Sequence, residues 1–195
     1  MKPNLPPLPL LFLAFVFAGL GADAAEAAPR REEAVFLSDQ RRVVVEVPDG
    51  FKFESGRDER GLVRVFLTGP GEQVSVQLSF LPDGEGRFGE AYERRRLLHE
   101  TYGPYVAGSV EKGMHFEELE PKSGAGTFCV FTDSALVGKT ELPPGEFHHV
   151  TAGAKVWPGV VVLFSVFSQD TQSAPYRTAL RLLRESVAEK NPLLR

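Results

Sequence analysis

The sequence predicts an α+β protein in which a mainly antiparallel sheet is flanked by helices. Three observations lead to this class: short segments that are apolar at every second position, two longer segments with apolar residues at helical spacing, and one segment that is apolar almost throughout. The chain has 195 residues, of which 43% are hydrophobic and 25% charged, and this composition suits a single globular domain.

The first predicted strands precede a helix in the middle of the chain. Residues 42–47 (RVVVEV) are rich in β-branched side chains and stop at the turn sequence of residues 48–50 (PDG). Residues 51–54 alternate briefly, and residues 62–67 (LVRVFL) form the next strand. In residues 74–80 (VSVQLSF) apolar and polar side chains fall on opposite faces, which predicts a half-buried antiparallel strand.

After a loop at residues 82–89 the apolar spacing changes to three and four, which predicts an amphipathic helix ending near residues 103–104. Its apolar face comprises Phe88, Ala91, Tyr92, Leu98 and Tyr102. The strands expected after it cover residues 116–119, 126–132, 147–156 and 160–167. Because residues 160–167 (VVVLFSVF) are apolar at nearly every position, we expect them to form a central strand covered on both faces.

A closing helix is predicted from Ser173, whose hydroxyl can cap its first turn, with Pro175 just inside that turn. Its apolar stripe comprises Tyr176, Ala179, Leu180, Leu183 and Val187. The helix is expected to end near residues 191–192 (NP).

Residues 1–24 are predicted to be a secretory signal peptide. Lys2 precedes an apolar run over residues 8–20, and the small residues that follow allow cleavage up to residue 27. The run is shorter than a membrane span, although an uncleaved N-terminal anchor stays an alternative. Residues 25–38 are charged and aperiodic, so we expect a tether there and the folded domain over residues 39–190. The protein is therefore expected to be periplasmic or secreted, with no stable membrane anchor after cleavage.

Charge and cysteine content exclude two broad classes. The net charge of −4 lacks the basic field of a nucleic-acid-binding protein, so no nucleic-acid partner is predicted. Cys129 is the single cysteine, which rules out an intramolecular disulfide and a cysteine-based zinc site. Its apolar neighbours predict a buried structural thiol. No metal and no cofactor are predicted.

Several soft motifs give the chain a resemblance to a known family. They are VPDGF at residues 47–51, the mid-chain helix, G-x-x-x-x-F-x-V-F at residues 159–167, and S-x-D-x-x-S-x-x-Y-x-x-A-L-x-x-L at residues 168–183. With the signal peptide, this layout over about residues 35–190 resembles the PsbP-like family, which includes exported bacterial proteins of the DcrB type. The resemblance implies a non-enzymatic accessory or partner-binding role.

Motifs that could carry chemistry are weak. Residues 84–89 (GEGRFG) match G-x-G-x-x-G, but acidic residues in the following helical turn would repel phosphate, so a loop is favoured. Residues 94–96 (RRR) are expected on a solvated helix face, with Glu90 paired to Arg94. His148 and His149 are adjacent on a predicted strand and should point to opposite faces, one packed on the sheet and one in solvent. No nucleophile elbow is present, and no catalytic residue is predicted.

The sequence therefore predicts an exported accessory protein that binds an unidentified protein of the cell envelope. Trp157 precedes Pro158-Gly159, for which we expect a wide loop; its ring either packs over the sheet edge or contacts a partner. Leu142, Pro143 and Pro144 complete the predicted partner-binding surface. The alternative is a small-ligand carrier or an enzyme with a pocket between sheet and helix that involves His148 or His149. A pocket with converging polar groups favours that alternative, and an exposed apolar patch favours protein binding.

Overall fold

The computed structural model describes residues 30–189. They contain ten strands in two antiparallel sheets and two α-helices. The elements are β1 (Arg30–Ser38), β2 (Arg41–Pro48), β3 (Lys52–Arg57), β4 (Val63–Thr68), β5 (Val74–Asp83), α1 (Ala91–Gly108), β6 (Glu117–Glu118), β7 (Ala125–Thr132), β8 (His149–Trp157), β9 (Gly159–Ser168), α2 (Ala174–Arg181) and β10 (Val187–Glu189). The predicted α+β class with a mainly antiparallel sheet is confirmed. The predicted signal peptide lies outside the described residues.

The large sheet has seven strands in the order β3-β4-β5-β9-β8-β7-β6, and the small sheet has the order β1-β2-β10. Strand β9 lies in the middle of the large sheet, between β5 and β8, which agrees with its continuous apolar sequence. Val162 and Phe164 lie on one face among core residues from β4 and β5. Val161 lies on the other face, in a second core with α1. The prediction of a central strand covered on both faces is confirmed.

The small sheet and α2 cover the first face of the large sheet. Ser173 caps α2 as predicted, since its hydroxyl accepts a hydrogen bond from the Tyr176 amide at 3.3 Å. The Tyr176 hydroxyl lies 2.7 Å from that of Thr151 on β8, a buried contact that fixes the helix on the sheet. The helix is shorter than predicted. A π-helical turn follows at Leu182–Ser186, and Val187 then begins β10, because its side chain packs in the core between the sheets.

Helix α1 covers the second face, with Leu98 and Tyr102 buried against β7, β8 and β9. It continues to Gly108 rather than ending near Pro104, because Val106 beyond the proline packs against the second core and offsets the cost of a proline inside the helix. The predicted apolar face is wrong at Tyr92, whose side chain is 72% exposed.

Residues 30–38 form strand β1 instead of the predicted tether. They pair with β2 over almost its whole length, and Val35 is buried in the core. The charged residues of this segment occupy exposed or half-buried positions on an edge strand, where charge does not oppose pairing.

Arg94 is buried instead of solvated, and it joins α1 to the sheet. Its guanidinium donates hydrogen bonds to the Thr127 hydroxyl at 3.0 Å and to the Gly89 carbonyl at 2.6 Å, and lies 3.4 Å from the Glu118 carboxylate. The Arg94 side chain forms no ion pair with Glu90 in the described part of the chain, so the predicted pair is wrong. Arg95, the next residue, also reaches Glu118 but stays exposed.

Lys155 is a buried cation between β8 and the end of α2. Its ammonium donates hydrogen bonds to the carbonyls of Leu183 at 2.9 Å and Val187 at 2.6 Å, where the carbonyls of a helical segment end and attract positive charge. Desolvation lowers the pKa of Lys155 from 10.5 to about 8.

Replacing Arg94 should be far more damaging than replacing Arg95. In Arg94→Ala, the buried Thr127 hydroxyl loses its donor and the Gly89 carbonyl loses a hydrogen bond, and we expect the free energy of unfolding to fall by about 2 to 4 kcal/mol. The exposed Arg95→Ala should change it by less than about 1 kcal/mol. Urea denaturation of both variants measures the difference, and equal losses would contradict a structural role for Arg94.

Lys155 should make stability rise at alkaline pH. Between its folded pKa of about 8 and the ordinary 10.5, the unfolded chain keeps a proton that the folded chain has released. The free energy of unfolding of the wild type, relative to Lys155→Met, should therefore grow by about 2 to 3 kcal/mol from about pH 7 to about pH 10. Other titrating groups cancel in this comparison. A pH-independent difference between the two proteins would show that Lys155 does not titrate in this range.

Candidate functional site

A cleft of about 560 Å³ opens at one end of the large sheet, beneath the turn of the β1–β2 hairpin. The strand pairing brings its walls together: Val63 at the start of β4 is opposite Phe80 near the end of β5, and Pro82 is opposite Val160 at the start of β9. The small sheet contributes Leu37 from the end of β1. We call this feature the arginine-rimmed cleft.

The wall of the arginine-rimmed cleft is apolar. It is formed mainly by Leu37, Leu62, Val63, Phe80, Leu81 and Val160. Val63, Phe80 and Val160 are also members of the main hydrophobic core. Side chains of the main core therefore line the cleft directly.

Three arginines, Arg41, Arg57 and Arg60, line the cleft, and no acidic residue of the described chain does. Asp58, the acid between two of them, is engaged elsewhere: it lies 2.9 Å from Arg64 and accepts hydrogen bonds from the Leu62 and Arg60 amides. Desolvation raises the pKa of Asp58, but these hydrogen bonds and the charge of Arg64 outweigh it, so the pKa lies below its ordinary value. Asp58 therefore stays ionised and paired to Arg64.

Arg57 ties the two sheets together at the mouth of the cleft. Its guanidinium donates to the Gly61 carbonyl at 2.8 Å in the β3–β4 loop, and to the carbonyls of Phe36 and Leu37 at 3.1 Å on β1. These partners are neutral, and Arg57 forms no ion pair with any residue between 30 and 189. The positive charge therefore stays uncompensated.

Arg41 links the small sheet to the β8–β9 turn, where it donates to the carbonyls of Pro158 and, at 2.9 Å, Gly159. This turn has only two residues, because Trp157 pairs directly with Val160. The predicted wide loop is wrong: proline followed by a glycine with φ of 80° suits a type II turn, which connects the strands without extra residues.

The predicted partner-binding residues do not form one surface. Trp157 is only 5% exposed and packs in the core, so its ring is not available as an exposed anchor. Leu142 is half-buried, while Pro143 and Pro144 are exposed in the loop before β8. That loop leads into the first residue of β8, His149, whereas Trp157 is the last residue of the strand, about 27 Å along it.

The two histidines lie away from the cleft, near the start of β8. The His149 Nδ1 atom is 3.1 Å from the Thr132 hydroxyl, which donates to Glu111 at 2.7 Å, and His148 Nε2 is 2.9 Å from the Lys139 carbonyl. Both side chains are partly buried, so the expectation of one histidine in solvent is wrong. Desolvation and neighbouring His148 lower the pKa of His149.

Two other features noted in the sequence have structural roles. Cys129 is buried as predicted, and desolvation raises its pKa to about 12. In the glycine-rich segment, the buried Asp83 carboxylate accepts hydrogen bonds from the amides of Arg87 and Phe88 at 2.9 and 3.2 Å. These amides are therefore already occupied and cannot hold a phosphate.

Across residues 30–189, no helix combines the length and apolar character needed to cross a bilayer. Within the same range, no three histidine, cysteine or acidic side chains come together as a metal site. A scan against protein-family models found no matching family, and a search of curated proteins found no relative of this chain.

Removing Arg57 should loosen the mouth of the cleft. Arg57→Ala deletes hydrogen bonds between the β3–β4 loop and β1, so we expect amide exchange around residues 36–41 to speed up about fivefold to tenfold. Arg64→Ala is the matched control, because Arg64 pairs with Asp58 and does not line the cleft. Unchanged exchange in Arg57→Ala, measured by mass spectrometry, would contradict this role.

Proposed function

We propose that this protein is an exported binding protein that holds a small, largely apolar ligand in the arginine-rimmed cleft. The observation that carries the proposal is the cleft itself, whose volume of about 560 Å³ falls within the range of small-molecule sites, roughly 300 to 1,000 Å³. An apolar wall with a few polar groups at its edge is the usual composition of such sites.

Binding is a better match to this site than catalysis. The charged groups at the cleft are arginines, whose guanidinium groups stay protonated in proteins. They can attract and orient a ligand, but they do not exchange protons as a general acid or base must.

Export is proposed on the sequence of residues 1–27, with its apolar run and small-residue cleavage sites. The resemblance to the PsbP-like family supports an accessory role over an enzymatic one. Of the two binding modes expected from the sequence, a small ligand is favoured over a protein partner, since Trp157 is buried and the cleft offers a concave apolar surface.

Filling part of the cleft should weaken ligand binding. We expect the neutral dye N-phenyl-1-naphthylamine to fluoresce on binding the wild type, and Leu62→Trp to weaken its affinity at least about fivefold, since the indole occupies apolar space. The dye is excited where tryptophan does not absorb.

Leu142→Trp is the matched control, because it introduces the same side chain at a half-buried loop position outside the cleft. Thermal unfolding of both variants verifies that they are folded. Equal dye affinity in Leu62→Trp and the wild type, or no dye binding to the wild type, would overturn the proposal.

A further inference from the structure

The mouth of the arginine-rimmed cleft carries positive charge that the protein itself does not neutralise. Arg57 donates only to main-chain carbonyls, and neither Arg57 nor Arg60 forms an ion pair with any residue between 30 and 189. This excess of positive charge is local, because the chain as a whole has a net charge of −4. The neighbouring Arg64 is paired with Asp58. Glu59, in the same β3–β4 loop, forms no ion pair with any residue between 30 and 189.

Of the two unpaired cations, Arg60 has its donors available. The Arg57 guanidinium already has three carbonyl acceptors, which hold it in place. The Arg60 side chain has no hydrogen-bond or ion-pair partner among the described residues; only its main-chain amide is engaged, by Asp58. A free planar guanidinium matches a carboxylate, which can accept two parallel hydrogen bonds from it.

Immediately behind this charge the cleft is apolar. Leu62 lies two residues after Arg60, and the wall continues through Phe80 to Val160. A ligand that satisfies both parts has an anionic end at the mouth and an apolar chain inside.

We infer that the arginine-rimmed cleft binds single-chain carboxylates of the fatty-acid class, with the head group on Arg60 and the acyl chain against Leu62, Phe80 and Val160. This inference rests on the proposed function and specifies its ligand. Arg57 is a positioning residue: it holds the β3–β4 loop against β1 and adds positive potential at the head group without giving up its own hydrogen bonds.

The test compares ligands that share a chain but differ in charge. Isothermal titration calorimetry of the mature wild type, which lacks the predicted signal peptide of residues 1–24, is carried out with dodecanoate, dodecanol and dodecyl phosphate, each below the concentration at which it aggregates. We expect the carboxylate to bind about tenfold more tightly, as one partly exposed charge-assisted contact allows. Shortening the carboxylate should weaken binding by about fourfold for each methylene that leaves the cleft.

Variants then locate the head group. Arg60→Gln should remove the tenfold preference for dodecanoate while leaving the affinity for dodecanol unchanged, and Arg60→Lys should keep part of it. Arg95→Gln makes the same change of charge on α1, away from the cleft, and should keep the whole preference.

The outcomes separate this inference from the proposed function. Equal binding of dodecanoate and dodecanol overturns the anionic head group but leaves an apolar ligand site in place. Tighter binding of dodecyl phosphate than of dodecanoate also overturns the inferred class. A preference that survives in Arg60→Gln places the head group elsewhere, and failure of every ligand to bind overturns both proposals.

Discussion

The structure depends on the burial of β9 on both faces. A strand with apolar side chains at nearly every position cannot leave either face in water, so the sheet that contains it must have a layer on each side. Helix α1 supplies one layer, and the small sheet with α2 supplies the other. Gly153 on β8 shows how closely the central strands of the sheet themselves pack, because a Cβ atom there would overlap the Phe164 ring and the Thr127 carbonyl.

The two layers do not cover the large sheet equally. Helix α1 packs on β7 and β8, so Arg64 on β4 and Gln77 on β5 face solvent on that side. On the other side the β1–β2 hairpin reaches the end of the sheet but does not close on it, and the arginine-rimmed cleft is the space that remains. Covering a central strand with short elements thus produced a concave apolar site at the place where the cover ends.

Local patterns in the sequence predicted features that depend on a few consecutive residues: the two-sided burial of β9, the Ser173 cap and the buried Cys129. These local patterns gave wrong predictions where contacts with a segment distant in the sequence determine the structure. Arg94 looks like a surface arginine until Thr127 and Glu118 are placed beside it, and residues 30–38 look like a tether until β2 offers a partner strand. The cleft was not predictable for the same reason, since its wall comes from four separate parts of the chain.

The hydrogen bonds of Arg57 hold a positive charge at the cleft before any ligand binds, so little side-chain entropy is lost there on binding. A free surface arginine must lose side-chain freedom when it binds an anion, and this loss offsets much of the attraction. Arg57 has already lost that freedom to three carbonyls, which are neutral and leave its charge in place. An anion at the cleft therefore meets a fixed positive potential from Arg57, and only Arg60 has to be ordered when the ligand binds.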